Sequence, residues 1–365
     1  MLTIVLPLKD RTPFTWRWME YADQMKFPFH IIIADGGKDP VVEKKLTDKS
    51  NYPNLDYEYI RYPYDKDIPI FFKKMNDAVS HVQTKYVILT DNDDFLFVEA
   101  LHRAIEFLEK NDDFSSSRGE VYDFQVSSKD KSLERKDVYG KMISFRKILT
   151  SDSNVGETAL IRVRTFSEHA DGMWQDVCRT KNLKECYQTL VDSNIADLQL
   201  CDHLIDYLRV TYGKIHRGGG LYMLHQSHIG GLGHKMIRSD PLLWIMSEYW
   251  PEDISKMFKL IASKISRKDN LPEEYANHRM MQYYISHIIG ANMIQGRLKR
   301  KIATEPPKIV TLGRIFHKDN KIRKSLKNLY QYVYNLRQDW GSHKVLASSH
   351  YYNEIKIVQD FLLNK

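Results

Sequence analysis

Cysteine is nearly missing from this chain of 365 residues: Cys178, Cys186 and Cys201 are the whole complement, an odd number without CxxC spacing. That excludes a disulfide-built secreted scaffold and points to a reducing, cytoplasmic setting. It also speaks against structural zinc, because His225 and His228 bring no matching thiolate pair. No apolar run approaches the roughly 20 residues needed to cross a bilayer, so the chain is expected to be soluble or to lie against a membrane. A basic leader with a cleavage site, internal repeats and low-complexity tracts are absent as well. The length is enough to bury a full α/β domain plus a helical addition.

Against this background one segment stands out. Tyr86-Val87-Ile88-Leu89 is an apolar run of strand length that delivers Asp91, Asp93 and Asp94 to one point. A buried parallel strand whose C-terminal end opens into a crevice is where open α/β sheets hold ligands. Such a concentration of carboxylates is costly unless a cation offsets it. Hard oxygen donors suit Mg²⁺ or Mn²⁺, which commonly complete their shell with phosphate oxygens.

What precedes the acids is an alternation of strands and helices. Leu2 to Leu8 and His30 to Ala34 read as buried strands, with a helix-like stretch from Phe14 to Met25 between them. The second strand breaks at Asp35-Gly36-Gly37, where glycine allows a tight turn and close approach of a ligand. Tyr57 to Tyr62 follows as a third strand and Ile70 to Val82 as an amphipathic helix before the acid strand. The expectation is a mostly parallel sheet covered by helices.

These landmarks resemble the nucleotide-sugar-binding half of family-2 glycosyltransferases with the GT-A fold. LPLKDR stands at the end of strand one, IIIADGGKD resembles the Asp-Gly-Gly turn, and FFKKMNDAVSHVQTKYVILTDNDDFL resembles the basic-x-Asn helix, the strand and the DxD motif. A bacterial subgroup has a similar Ala-Asp-Gly turn. The chain departs from the pattern in lacking a Ser or Thr in the turn and in carrying Asn92 within the acids. The resemblance implies a GT-A domain over 1–235, with a donor half (1–110) and an acceptor half (111–235), and a helical region over 236–365. It implies transfer of a sugar from a nucleotide-diphosphate donor, a UDP-sugar for preference, to a glycan or lipid-linked hydroxyl, with inversion and with Mn²⁺ or Mg²⁺ as cofactor. On that basis Asp35 would meet the base, the backbone at Pro7 and Leu8 would line its pocket, and Lys73 or Lys74 would reach the diphosphate. Asp91 would hold ribose or metal-bound water, Asp93 would be the main metal ligand, and Asp94 would add charge.

An inverting transferase needs a general base. The resemblance places it in Ser193 to His203, before a helix that ends in Gly213-Lys214-Ile215, which leaves Asp197 and Asp202. Asp197, at the expected helix start, is slightly favoured, although a carboxylate there is also a good cap. Beyond it, His216 to His234 holds six glycines and is expected to be a mobile loop around a short strand, with His225 or His228 added to the metal or diphosphate.

The excess of basic residues, 54 against 47 acidic, is concentrated late, at Arg297, Lys299, Arg300 and Lys301 and again from Lys318 to Lys327. With Ile322, Leu326, Leu329, Val333 and Leu336 at helical spacing, this suits either a core-facing stripe with a solvated basic face or a peripheral contact with anionic membrane. Phe258, Ile261 and Ile265 mark a helical region from about Pro241, which would shape the acceptor site or an oligomer contact. Two other readings compete. A sugar nucleotidyltransferase would carry a glycine-rich loop after strand one, which LPLKDRTP does not have. A nucleic-acid-binding module would use the basic face but gives no reason for the acids.

Overall fold

In the computed structural model, residues 1–127, 137–148, 152–169, 172–227, 250–304 and 351–364 are described, with backbone only over 289–304. A nine-stranded sheet forms the centre. Its first part is parallel: β3 (Tyr57–Arg61), β2 (His30–Asp35), β1 (Leu2–Leu8) and β4 (Tyr86–Leu89) lie in that order. Beyond β4 the sheet becomes mixed. The strand β8 (Val177–Arg179) runs antiparallel to both β4 and β6 (Phe114–Ser127), whereas β9 (Lys214–Gln226) is parallel to β6 and antiparallel to β5 (Phe95–Leu96). A hairpin partner, β7 (Lys141–Lys147), pairs with β6 outside this path.

The strands β1, β2 and β4 are apolar on both faces, as burial on both sides requires. Ile4 and Leu6 of β1, Ile31 and Ile33 of β2, and Ile88 of β4 enter one core; Val5, Ile32, Val87 and Leu89 enter the other. The first core is covered by α1 (Thr12–Gln24), α2 (Pro40–Thr47) and α4 (Val98–Lys110), the second by α3 (Ile68–Ser80), α5 (Ala159–His169), α6 (Thr180–Ser193) and α7 (Leu198–Tyr212). The helix starts are chemically explicit. Asp67 accepts from Ile70 N with Pro69 in the first turn of α3, and Asp197 accepts from Leu200 N at the head of α7.

The glycine-rich stretch expected to be a loop is in fact strand over Lys214–Gln226. The glycines serve close packing: a Cβ on Gly119 of β6 would come within 2.7 Å of Gly220 O, and Gly220 itself has φ +93°. The β6–β9 register shifts at this crossing. His228 and the rest of that segment lie outside the described residues.

The C-terminal helices divide between the two faces. The pair α8 (Trp250–Asp269) and α9 (Glu273–Thr304) packs on α5 and α7, burying Phe258, Ile261 and Ile265 as their spacing implied. The helix α10 (Tyr352–Leu363) instead returns to the first core, where Phe361 meets the rings of Tyr21, Phe95 and Tyr139. Leu362 O accepts from Gly140 N, and Gln359 Oε1 accepts from Met142 N. The side chains of Arg297 to Lys301 and all of Lys318 to Leu336 fall outside the described part. Among the described residues no helix is long and apolar enough to cross a membrane.

Because Phe361 fills a fully enclosed aromatic site at 4% exposure, Phe361→Ala should cost about 3–5 kcal/mol. Urea unfolding with a shared slope checks this; an unchanged midpoint would mean that α10 is not part of the core.

Candidate active site

The chain leaves β4 at Leu89 and closes a turn in which Asp94 N donates to Asp91 O at 3.2 Å. This gathers the three acids at the C-terminal end of the parallel strands. Asn92 points away, its Nδ2 donating to Thr15 Oγ1 on α1, so it takes no part in the acidic face. Among the described residues, no three acids or histidines converge as a ready-made cation cage. Instead the chain's own donors surround them. Arg11 Nη2 lies 2.9 Å from Asp93 Oδ2, His225 Nδ1 lies 2.8 Å from Asp94 Oδ1, and Gln175 Nε2 reaches Asp91 and Asp94 at 3.4 and 3.3 Å.

The electrostatics show strain between like charges. Burial, then the carboxylates of Asp94 and Asp93, push Asp91 up to about 8. Burial also raises Asp94, against the pull of His225. For His225 burial works downward, but Asp94 with Asp93 and Asp91 behind it outweighs that and lifts the imidazole to about 10. In this arrangement His225 is a counter-cation to Asp94; coordination would need its other ring nitrogen. A divalent ion would offset the burial and like-charge repulsion that raise Asp91, and carboxylate oxygens are donors that suit Mn²⁺ or Mg²⁺.

Two arginines complete the cluster, and neither stood out in the sequence as a site residue. Arg11 has φ +59°, directly after Asp10 at φ +55°, so the LPLKDR segment turns through two left-handed residues to aim its guanidinium at Asp93. Arg17 is 1% exposed beneath the turn and donates to Asp93 O, Val138 O and Gln226 Oε1. Burial draws its pKa down to about 10 while Asp93 opposes. A cation at Arg17, flanked by Trp16 and Trp18 in an otherwise core-facing helix, was the available signal.

At the neighbouring turn the observed contacts differ from the expected roles. Asp35 is already satisfied, accepting from Gly37 N, Tyr59 Oη and Arg61 Nη1, and it is 1% exposed. It organises the turn. The lysine expectation is corrected: Lys73 is exposed and lines a shallow hollow with Leu190 and Asn194, away from the acids. Lys74 is the inward one, donating to Leu8 O and paired with Asp65, both side chains fully buried. Successive helical residues point about 100° apart, so adjacent lysines must diverge. The carboxylate of Asp65 sits against Gly36, where a Cβ would come within 2.4 Å of its Cγ. Pro7 is half-buried at this edge, and Leu8 contributes its carbonyl while its side chain enters the core.

A cleft of about 460 Å³ opens on the other side of Asp91. Its lining includes Phe71, Trp174, Gln175, Asp202, Asp206 and His287. Asp197 is not among them; it caps α7, and its backbone N–H donates to Asp253. The slight preference for Asp197 over Asp202 is therefore reversed, because a cap faces the helix end whereas Asp202 and Asp206, four apart, share the face that looks across at Asp91. Burial, followed by the carboxylates of Asp206 and Asp197, raises Asp202 to about 7.

The acid turn thus stands at the C-terminal edge of β4 in a mixed α/β sheet flanked by helices. Residues 3–169 match the family model of glycosyl transferase family 2. The chain is similar to the structure of S. aureus TarS 1–349, at 16% identity and TM-score 0.46, with 86% of this chain and 79% of that one covered. The same TarS segment in complex with UDP-GlcNAc gives 15% identity and a TM-score of 0.48 over 86% and 80% of the two chains. The mannosyltransferase PcManGT from Pyrobaculum calidifontis, in complex with GDP-Man and Mn²⁺, gives 10% identity and 0.43 over 99% and 84%. No curated protein matches.

The Asp65–Lys74 pair makes a sharp test. Removing one partner leaves the other charge buried, so Lys74→Met should destabilise by about 3–5 kcal/mol, and adding Asp65→Asn should restore much of it. Melting curves of the two variants decide; equal losses would mean that the pair is not coupled.

Proposed function

We propose that the chain is a metal-dependent transferase that moves a sugar from a nucleotide-diphosphate donor, UDP-linked for preference, to a hydroxyl of a glycan or lipid-linked acceptor with inversion. The observation that carries this reading is that Asp91 of the acid turn and Asp202 of α7 line one cleft, so a donor at the turn and a proton acceptor face the same space. A Mn²⁺ or Mg²⁺ held by Asp91, Asp93 and Asp94, with His225 at its rim, would act as a Lewis acid for the leaving diphosphate. Arg11, beside the turn, supplies fixed positive charge at this end of the site. Asp202 takes the acceptor hydroxyl's proton as the oxygen attacks the anomeric carbon. A carboxyl raised to about 7 is a stronger base than an ordinary one and still ionises near neutrality.

Binding tests the donor end. UDP, GDP, CDP and dTDP, each with and without Mn²⁺, should give a metal-dependent rise in Tm confined to one nucleotide. Asp93→Asn should abolish that rise with little loss of folding, since it removes one charge from a crowded acidic turn; a wild-type response in the variant would remove Asp93 from the metal site.

Asp202→Asn should keep the nucleotide response and lose transfer by about 10²–10⁴-fold. In the wild-type protein, turnover should rise with pH through about 7 as Asp202 ionises. The stability sign runs the other way. Folding holds a proton on Asp202 between the ordinary carboxylate range and about 7, so its contribution declines as pH increases across that window. Asp202→Asn should flatten the decline in a pH series of unfolding midpoints. If Asp197→Asn instead loses transfer while Asp202→Asn does not, the base is the capping residue.

A further inference from the structure

We infer that Arg209, held between the buried Asp176 and the cleft-side Asp206, is a positioning residue that sets the charge balance of the helix face carrying Asp202; its catalytic consequence rests on the transferase reading above. Asp176, just before β8, is wholly buried and meets guanidinium groups from three elements. Arg217 Nη1 of β9 lies 2.8 Å from its Oδ2, which also accepts from Ser116 Oγ at 2.8 Å, and Arg118 Nε of β6 lies 3.6 Å from its Oδ1. Arg209 of α7 is the third, with Nη2 at 4.0 Å from Asp176 Oδ2 and Nη1 at 4.0 Å from Asp206 Oδ1. A formed charge-assisted hydrogen bond is about 2.7–2.9 Å long, so Arg209 is bonded to neither carboxylate. It is 3% exposed; Nη1 donates to Met173 O, while Nε and Nη2 have no hydrogen-bond partner among the described residues.

One carboxylate cannot offset three guanidinium groups. Burial alone would raise Asp176, yet Arg217, Arg118 and Arg209 outweigh it and hold the carboxyl below its ordinary range, so this end of the bridge keeps its charge. The other end opens on the cleft: Asp202, Asp206 and Arg209 follow the i, i+4, i+7 spacing of one helical face, and all three line it. Among the described residues of that lining, Arg209 is the one fixed cation. Charges about 4 Å apart attract strongly where water is excluded, so the carboxylate that Arg209 favours decides how much negative charge stays beside Asp202. After burial, Asp206 is the largest influence on Asp202, and offsetting Asp206 therefore eases the ionisation of Asp202. The other groups around Asp202 are Asp197 and His203 on α7, Tyr187 on α6, His287 on α9 and Asp91 across the cleft. Burial keeps both imidazoles and the phenol uncharged. Asp253 of α8 is spent on the backbone N–H groups of Ala196 and Asp197, and α5 contributes Phe166 alone to the lining. Beside Arg209 the Cys178 thiol is neutral as well, pushed up to about 11 by burial.

The test is a ¹³C NMR titration of the side-chain carboxyls in the full chain, with no nucleotide or metal added; the Asp202 signal is the one missing from Asp202→Asn. Arg209→Gln leaves Asp206 uncompensated and should move the Asp202 midpoint up by about 1 pH unit, whereas Asp176→Asn frees Arg209 for Asp206 and should move it down by about as much. Arg209→Lys keeps the charge and should give back most of the wild-type midpoint. Asp206→Asn should abolish the effect of Arg209→Gln, because the coupling runs through that carboxylate. An Arg209 that only supports the fold would lower Tm in these variants and leave the midpoint unmoved; that result, or equal shifts in Arg209→Gln and Arg209→Lys, overturns the inference. If Asp176→Asn does not fold, the comparison of Gln with Lys at position 209 decides alone. The pH profile of turnover should shift with the carboxyl midpoint in the same variants. A carboxyl midpoint that moves while the turnover profile stays fixed supports the bridge and removes Asp202 as the base. A chain without any nucleotide response removes the transferase reading, and the titration still decides the role of Arg209.

Discussion

Three carboxylates crowded at the end of β4 must be offset, and the way the chain offsets them organises much of the molecule. Arg11 and His225 meet two of the acids from opposite sides, and Arg17 lies beneath. Arg17 is costly to bury, and its Nη1 is used elsewhere. It reaches Val138 O ahead of β7 and Gln226 at the end of β9. One guanidinium thus ties the acid turn to α1, to β9 and to the segment entering the β6–β7 hairpin. The turn's position follows from charge compensation as much as from the strand that carries it.

The same turn separates two chemically different spaces. On one side the Asp35–Arg61 contact and the buried Asp65–Lys74 pair make a polar rim around Gly36 and Gly37. On the other side the cleft is lined by aromatic residues and by one polar face of α7. That helix is otherwise embedded in the second core through Leu200, Leu204 and Leu208, so its carboxylates cannot withdraw to solvent. Their raised affinity for protons is a direct result of this placement.

The parallel part of the sheet was legible because strands buried on both faces are continuous apolar runs, and the runs at Leu2, His30 and Tyr86 have few other interpretations. The acids were legible for the same reason, as a break from apolar to charged. What could not be read were choices of facing. Lys73 and Lys74 are equivalent in sequence and opposite in space; Asp197 and Asp202 both sit near the head of one helix. The i, i+4 relation of Asp202 and Asp206 among leucines was a usable clue to a polar stripe. The glycine-rich segment failed differently. Glycine there permits strands β6 and β9 to approach each other closely, which sequence composition does not distinguish from loop flexibility. Arg11 and Arg17 depend on a left-handed turn and on long-range partners, and no local pattern encodes those.

The helix Tyr352–Leu363 closes the core that contains Leu2, Tyr21 and Phe95. During synthesis, then, the earliest strands to leave the ribosome cannot finish packing until residue 361 has followed them. At the typical pace of about 5–20 residues per second, this leaves an apolar face beside Tyr21 and Phe95 uncovered for many seconds.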